Sequence, residues 1–244
     1  MKIISSKGFE IEIQSGSIKN RFLPNGFVIT DKNLFQNYED IIGDKGFVIE
    51  PGEKSKSTEI FLEIINKLND ADKIVAFGGG VVGDLAGFVA SIYKRGIKLI
   101  QVPTTLLAMI DSSIGGKNGI NLNKRKNYLG TIYQPEKIFI DPSFLETLSI
   151  KEFRNGIAEI IKYSILFGKP SLQRIEEGIR ISDLDLPQII YQCCLIKTEV
   201  VEQDEKDKNY RHVLNFGHTI GHALELVYHL THGEAISIGM IKEV

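Results

Sequence analysis

The sequence contains few cysteines and little net charge, and it has no long apolar run. Its two cysteines, Cys193 and Cys194, are adjacent in a segment with helical character, where neighbouring side chains point about 100° apart. A vicinal disulfide would be strained, so we expect a reduced, buried pair, which is typical of a cytoplasmic protein.

The formal net charge of −2 provides no general attraction to nucleic acid or to an anionic membrane surface. No stretch approaches the roughly 18 consecutive apolar residues of a transmembrane helix, and the N-terminus lacks the apolar region of a signal peptide. We therefore predict a cytoplasmic protein that binds neither nucleic acid nor membranes. Its basic residues become candidates for local contacts with an anionic ligand.

Short apolar runs alternate with helical segments in the first part of the chain, which predicts a parallel sheet covered on both faces. The predicted strands are Phe27–Thr30, Gly46–Ile49, Ile74–Phe77, Lys98–Val102 and Lys137–Ile140, and Thr58–Leu68 is a predicted helix. Strand patterns end near Leu148. The predicted helices that follow are Glu152–Phe167, Pro187–Val201 and Asn215–His229, and another begins at Gly233.

This change of pattern predicts an α/β protein with two domains. A Rossmann-like parallel-sheet domain spans residues 1–148, and an all-α domain spans residues 149–244. The last helix reaches Val244 without a cap or a C-terminal glycine, so we expect the all-α domain to be incomplete at its C-terminus.

A glycine-rich turn follows the strand Ile74–Phe77. Gly78, Gly80 and Gly83 match the G-x-G-x-x-G pattern, in which glycines let the backbone approach a phosphate at a helix N-terminus. The acidic residue usual about 20 residues later is absent, and Asp31 or Glu53 would have to bind the ribose instead. A purely structural turn is the alternative.

All five histidines lie between His212 and His232. His218 and His222 share one face of a predicted helix, and His232 precedes the next helix. Because catalytic metals often take two histidines and one glutamate, Glu159, which interrupts an apolar helix, is the candidate carboxylate. The spacing leaves open which of His218 and His222 binds the metal. His212 and His229 are expected to be ordinary polar residues.

Basic residues recur beside these motifs. The segment Asp111–Lys117 is small, polar and rich in glycine, as in loops that approach ligands. Lys117, Lys126, Lys162, Lys197 and Arg211 could bind an anionic substrate, and simple solvation of each side chain is the alternative.

Together these motifs resemble the 3-dehydroquinate synthase family. The segments that carry the resemblance are Gly78–Asp84, Arg95-Gly96, Pro103–Ala108, Asp111–Lys117, Lys126-Asn127, Glu159–Lys162, Leu214–His222 and His232–Glu234. They occur in family order and span essentially the whole chain.

The resemblance implies that Glu159, His218 and His232 bind a catalytic Zn²⁺, or another divalent ion such as Co²⁺. His222 would then serve the substrate and proton transfer. NAD would contact Gly80, Val81, Val82, Gly83, Asp84, Thr104, Thr105, Phe144, Leu145, Glu146 and Thr147, with Asp31, Glu53 and Lys56 at its adenosine ribose and with Lys117 and Lys126 as further candidates. Pro51 stands where the family usually has aspartate.

The substrate would be a small anionic sugar phosphate. Its predicted contacts are Asp111, Lys117, Lys126, Asn127, Lys162, Lys197, Arg211, Asn215 and His222. Arg95 would reach the site of a neighbouring subunit, which implies a homodimer.

The implied enzyme is a lyase that converts 3-deoxy-D-arabino-heptulosonate 7-phosphate to 3-dehydroquinate. Transient oxidation by NAD, loss of phosphate, re-reduction and an intramolecular aldol step would follow one another. Three alternatives stay open: a related sugar phosphate cyclase, a metal-dependent polyol dehydrogenase that releases NADH, and an inactive fragment that binds NAD and metal. Family members continue past Val244, and an end there would leave the substrate site incomplete.

Overall fold

The computed structural model describes residues 1–18, 26–43, 46–123, 125–172 and 185–243. The chain divides into two compact units. We call Met1–Thr104 with Ser112–Phe144 the sheet unit, and Thr105–Asp111 with Leu145–Val244 the helical unit. The sheet unit thus ends a few residues before the predicted boundary at Leu148, and the short segment Thr105–Asp111 belongs to the helical unit.

The sheet unit contains a seven-stranded sheet and a separate two-stranded one within its described residues. In chain order the strands are β1 (Lys2–Ile4), β2 (Glu10–Ile13), β3 (Phe27–Asp31), β4 (Gly46–Ile49), β5 (Lys73–Gly78), β6 (Lys98–Pro103), β7 (Lys117–Leu122), β8 (Arg125–Ile132) and β9 (Lys137–Ile140). The large sheet has the order β1-β2-β9-β6-β5-β3-β4, and only the edge pair β1–β2 is antiparallel. The predicted parallel sheet and its five strands are confirmed.

Three helices of the sheet unit pack with this sheet: α1 (Lys32–Ile42), α2 (Thr58–Lys67) and α3 (Gly80–Ile92). Apolar side chains of β5 and α3, among them Ile74, Ala76, Leu85 and Val89, form much of the core. The predicted helix Thr58–Leu68 is confirmed to within one residue.

The hairpin of β7 and β8 was not predicted from the sequence. Its strands are antiparallel, with Gly119 opposite Gly130, and most side chains of β8 are exposed. The exposed strand β8 lacks the apolar pattern that reveals buried strands, and β7 consists mostly of polar residues and glycine. The predicted loop Asp111–Lys117 is also shorter than expected, because Ala108–Ser112 forms a π-helical turn and β7 begins at Lys117.

The helical unit contains α4 (Ile150–Phe167), α5 (Leu186–Gln203), α6 (His218–Tyr228) and α7 (His232–Glu243). The predicted helices Glu152–Phe167 and Pro187–Val201 are confirmed. The prediction that α6 begins at Asn215 is wrong. Gly217 has a φ of 78° and separates α6 from the 3₁₀ turn Tyr210–Asn215. Val244 lies outside the described residues.

Cys193 and Cys194 are buried and unbridged on α5, as predicted. Burial raises the pKa of both thiols, which keeps them protonated. In the described part of the chain we find no helix with the length and apolar character that a membrane crossing requires.

Candidate metal and nucleotide sites

Glu159, His218 and His232 converge in the helical unit. Glu159 lies within α4, whereas each histidine is the first residue of its helix. Oε1 of Glu159 is 3.4 Å from Nε2 of His218 and 3.2 Å from Nε2 of His232. Two ligands of a tetrahedral Zn²⁺, each about 2.0 to 2.1 Å from the ion, lie about 3.3 Å apart. The spacing of these atoms therefore fits a divalent ion.

The carboxylate of Glu159 is fully buried, yet it stays ionised. Burial favours the neutral acid, but the adjacent Lys162 and the two histidines outweigh this effect and hold the pKa of Glu159 well below its ordinary value. Lys162 follows one turn later on α4 and forms an ion pair with Oε2. Oε1 faces the histidines, so the two oxygens have separate tasks.

Each histidine is held by contacts at the start of its helix. Nδ1 of His218 donates to the carbonyl oxygen of Phe216 at 3.1 Å, which turns Nε2 of the ring toward Glu159. Gly217 has no side chain to cap α6, and the carboxylate of Glu243 accepts from its N–H at 2.6 Å instead.

The start of α7 is fixed in a similar way. Thr231 and Glu234 form a reciprocal capping box around His232. Oδ1 of Asn155, one turn before Glu159 on α4, accepts from the N–H of Gly233 at 2.9 Å. Asn155 and Glu243 were not predicted from the sequence. The cap of α7 could have been predicted, because Thr-x-x-Glu at residues 231–234 is the pattern of a capping box.

A second group of candidate ligands adjoins the first. His222 and Glu225 lie three residues apart on α6, and their ligand atoms and those of His232 are all within 4.8 Å of one another. His222 is exposed, and its ring centroid is 6.5 Å from that of His232.

Four more groups of the helical unit interact around Asp111. Lys197 and the hydroxyl of Tyr163 both donate to Oδ1 of Asp111, at 2.6 Å and 2.7 Å. Burial would raise the pKa of Asp111, but Lys197 and Lys162 outweigh it and hold this pKa below its ordinary value. Burial also lowers the pKa of Lys197 and of Arg211, because each cation has lost solvent.

Tyr163 was missed by the sequence analysis. It is fully buried and follows Glu159 on α4 by four residues, so spacing alone could have assigned it to the face of Glu159 and Lys162. Asn215 is exposed at the end of a 3₁₀ turn, and the ring of His212 contacts the carbonyl of Asp207.

In the sheet unit, the glycine-rich turn joins β5 to α3. The helix begins at Gly80 without a side-chain cap, which leaves its first N–H groups available to an anion. A Cβ atom at Gly78 would come within 2.6 Å of Val82, so this turn requires glycine there.

Lys56, which is buried, is the centre of a polar network in the sheet unit. Its Nζ donates to Oδ2 of Asp84 at 2.6 Å and to Oδ1 of Asn127 at 2.5 Å. Burial raises the pKa of Asp84 despite Lys56. The amide of Asn121, a residue missed by the sequence analysis, donates to Oε1 of Glu53 at 2.9 Å. Predicted ribose and substrate residues thus share one network.

Other predicted residues lie elsewhere. Asp31 caps α1 through Leu34. The ring of Phe144 packs on Tyr38 and Phe77 in the core of the sheet unit. Thr104 and Leu145 are buried, whereas Arg95, Lys117, Lys126, Glu146 and Thr147 are exposed. Arg95 and Lys94 both have positive φ values, 67° and 49°.

Comparison with known proteins identifies the family. Residues 46–155 match the model of the 3-dehydroquinate synthase N-terminal domain, and residues 156–244 match that of the C-terminal domain. The chain belongs to the 3-dehydroquinate synthase family. It is 50% identical over 214 residues to the 3-dehydroquinate synthase of Clostridium perfringens, an alignment that covers 82% of this chain and 61% of the relative. This chain thus spans about three fifths of that relative's length.

Solved structures of sugar phosphate cyclases share the fold. A 2-deoxy-scyllo-inosose synthase complexed with carbaglucose-6-phosphate, NAD⁺ and Co²⁺ superposes with a TM-score of 0.83 and 28% identity over 96% of this chain and 72% of its own. The 2-epi-5-epi-valiolone synthase of Streptomyces hygroscopicus, with NAD⁺ and Zn²⁺ bound, gives 0.80 and 25% over 98% and 74%. The family expected from the sequence is confirmed.

Proposed function

We propose that this chain acts as a 3-dehydroquinate synthase, a lyase that converts 3-deoxy-D-arabino-heptulosonate 7-phosphate to 3-dehydroquinate and phosphate. The observation that carries the proposal is the convergence of Glu159, His218 and His232 at the spacing of metal ligands, in a chain of this family. A buried group of cations, described below, accompanies them in the helical unit.

We propose NAD and Zn²⁺ or Co²⁺ as cofactors, because the solved cyclases were found with them. When bound, NAD would take up and return a hydride, and the divalent ion would polarise the reacting oxygen as a Lewis acid. Glu159, His218 and His232 would hold the ion. The start of α3 at Gly80 and the pair Glu53 and Lys56 would hold the nucleotide.

Lys162, Lys197 and Arg211 would bind the negative charges of the substrate. All three are buried in the helical unit, where Lys162 pairs with Glu159 and Lys197 with Asp111. An anionic substrate would stabilise these cations, because charge-assisted hydrogen bonds are strong in a site with little water. Such fixed charges would also hold one conformer of the substrate, which favours ring closure.

Asp111 and His222 would act on the substrate's hydroxyl groups. Both hydrogen bonds to Asp111 use Oδ1, and among the described residues none donates to Oδ2, so that oxygen can accept from a hydroxyl. His222, one turn after His218 and exposed, would transfer a proton. The contacts predicted for Arg95, Lys117, Lys126, Asn127 and Asn215 remain part of the proposal, as do a homodimer and a cytoplasmic location.

The decisive test is release of inorganic phosphate from the heptulosonate phosphate by this chain, supplied with NAD and Co²⁺ or Zn²⁺. The Clostridium perfringens synthase, assayed beside it, is the positive control. We expect phosphate and 3-dehydroquinate in equal amounts and no net NADH. Release from the control alone would refute activity of this chain, whereas steady accumulation of NADH with glycerol would favour a polyol dehydrogenase.

A related cyclase that makes an inosose or a valiolone is the second candidate, because both solved cyclases share 25–28% identity with this chain. The higher identity of 50% to a 3-dehydroquinate synthase favours the first candidate. Turnover of glucose 6-phosphate, whose carba analogue is bound to the inosose synthase, in place of the heptulosonate phosphate would reverse this choice.

A further inference from the structure

His222 and His232 each have a task in the proposed reaction, whereas Glu225 has none. The reaction does not use the three residues together as a group. The group offers two imidazoles and one carboxylate, a set of ligands that divalent metals accept. Its ligand atoms all lie within 4.8 Å of one another, and the same bound holds for Glu159, His218 and His232. We call these the outer group and the inner group.

Exposure decreases from the outer group to the inner one. His222 is exposed, the side chain of His232 is 25% exposed, that of His218 is 16% exposed, and Glu159 has no exposed surface. An ion from solvent therefore meets the outer group before the inner group.

His232 belongs to both groups. An ion that moves inward can keep this one ligand while it exchanges His222 and Glu225 for His218 and Glu159. When ligands are exchanged one at a time, the ion never loses its coordination, because each water or side chain leaves only as the next one binds.

The inner group alone is a poor first contact for a cation. Lys162 forms an ion pair with Oε2 of Glu159, so its ammonium group repels an approaching dication. Oε1 stays directed at the histidines, and an ion there leaves the pair of Lys162 and Oε2 intact. A partly exposed carboxylate such as that of Glu225 would attract and hold the ion before this barrier.

We infer that His222, Glu225 and His232 form a second, outer position for a divalent ion, through which metal enters and leaves the inner group. This inference rests on the inner metal site of the proposed function. Its consequence is kinetic: the outer group sets the rates of loading and release, whereas the inner group sets the affinity.

The test follows Co²⁺ binding to the whole chain by the visible absorption of the ion in a stopped-flow instrument, with release measured by displacement into a chelator. For Glu225→Gln we expect the loading and release rates to fall together, each about tenfold, with the dissociation constant within about twofold of wild type. Equal losses are required because one path serves both directions. His222→Asn should show the same paired loss.

Glu199→Gln is the matched control, because it removes the same charge from an exposed position on α5 in the same unit. It should leave both rates unchanged. Unchanged rates in Glu225→Gln would overturn the inference, and so would a loss of affinity with unchanged loading, which would make Glu225 a ligand of the final site. A wild-type chain that binds no Co²⁺ would instead refute the inner site, and the outer one with it.

Discussion

The two units of this chain present their candidate ligand groups in different ways. In the helical unit the groups are side chains, most of them on separate helices, and those buried before any ligand binds are Glu159, Lys162, Lys197 and Arg211. In the sheet unit they are backbone N–H groups at the start of α3 and polar side chains on turns and a hairpin, many of them exposed.

The difference has an energetic consequence. Burial of Glu159, Lys162 and Lys197 costs free energy, and the paired charges recover only part of it. A backbone N–H at a helix start costs little, because water binds it in the free protein. The helical unit is thus pre-organised for its ligand at a cost in stability. The stability of the sheet unit depends little on its ligand.

The largest expected effect comes from breaking a buried ion pair. Lys162→Met leaves Glu159 without its partner, and we expect a loss of about 3 to 5 kcal/mol in the free energy of unfolding, measured with urea. Saturating Co²⁺ should restore part of it. Lys56→Met in the sheet unit should cost less, about 1 to 2 kcal/mol, because the side chain of Asp84 is 23% exposed.

Lys208→Met is the control for this comparison, because Lys208 is exposed in the helical unit. Its effect should stay within about 0.5 kcal/mol. Equal losses for Lys162→Met and Lys56→Met would remove the proposed difference between the units.

The second prediction concerns the metal. His218→Ala removes a ligand of the inner group, and we expect the Co²⁺ affinity to fall by more than about 100-fold. Loss of a residue that only hydrogen-bonds a metal ligand already costs about 10- to 100-fold. His222→Ala should retain the metal at equilibrium and lose catalytic rate. Metal analysis after dialysis decides the matter, and an equal loss of metal in the two variants would refute our assignment.

The units should also respond to acid in opposite directions. The folded state lowers the pKa of Asp111, so its contribution to stability is complete above the ordinary value of 3.8 and is lost as the pH falls below it. The folded state raises the pKa of Asp84, so its contribution is complete below 3.8 and is lost as the pH rises through the folded pKa.

Two neutral variants test this difference. The stability advantage of wild type over Asp111→Asn should shrink between about pH 5 and pH 3, and that over Asp84→Asn should grow. Urea titrations across this range supply the data. Parallel slopes for the two variants would contradict the assigned pKa directions.

The sequence predicted strands with continuous apolar runs well, but it missed β1, the alternating strand β2 and the hairpin. The strands β3 to β6 and β9 were recognised because apolar runs record burial. The hairpin of β7 and β8 was missed because most side chains of β8 are exposed and the pairing depends on Gly119 and Gly130 rather than on an apolar face.

The candidate site shows the same limit. Clustered histidines predicted a metal group, but only the resemblance to a family separated His218 from His222, because residues one turn apart on a helix share a face. Asn155, Glu243 and Tyr163 act through contacts with residues far away in sequence, as in the bond from Tyr163 to Asp111. No local pattern records such contacts.

Tyr163→Phe should have a moderate effect in the helical unit. It removes one hydrogen bond to Oδ1 of Asp111 and leaves the ring in place, so the carboxylate is less well oriented. We expect kcat/KM for the heptulosonate phosphate to fall about tenfold, as for one bond to a charged group, with Co²⁺ affinity unchanged. Tyr210→Phe, at an exposed position, is the control. A loss of Co²⁺ affinity in Tyr163→Phe would show that Tyr163 supports the metal instead.

The smallest effect is expected in the sheet unit, at Asn121. Its amide orients Oε1 of Glu53, and its side-chain oxygen accepts from the N–H of Asn127 at 2.8 Å. Asn121→Ala should raise the dissociation constant for NAD about threefold to tenfold, corresponding to roughly 1 kcal/mol for a partly exposed hydrogen bond. Asn123→Gly, at the exposed end of the same hairpin where φ is 49° and glycine is tolerated, should change nothing. Calorimetric titration of NAD separates the two variants. Turns of the sheet unit are only partly buried, so water can replace the lost hydrogen bonds. If Asn121→Ala weakened NAD binding by as much free energy as Lys162→Met removes from the free energy of unfolding, the sheet unit would be as strongly pre-organised as the helical one.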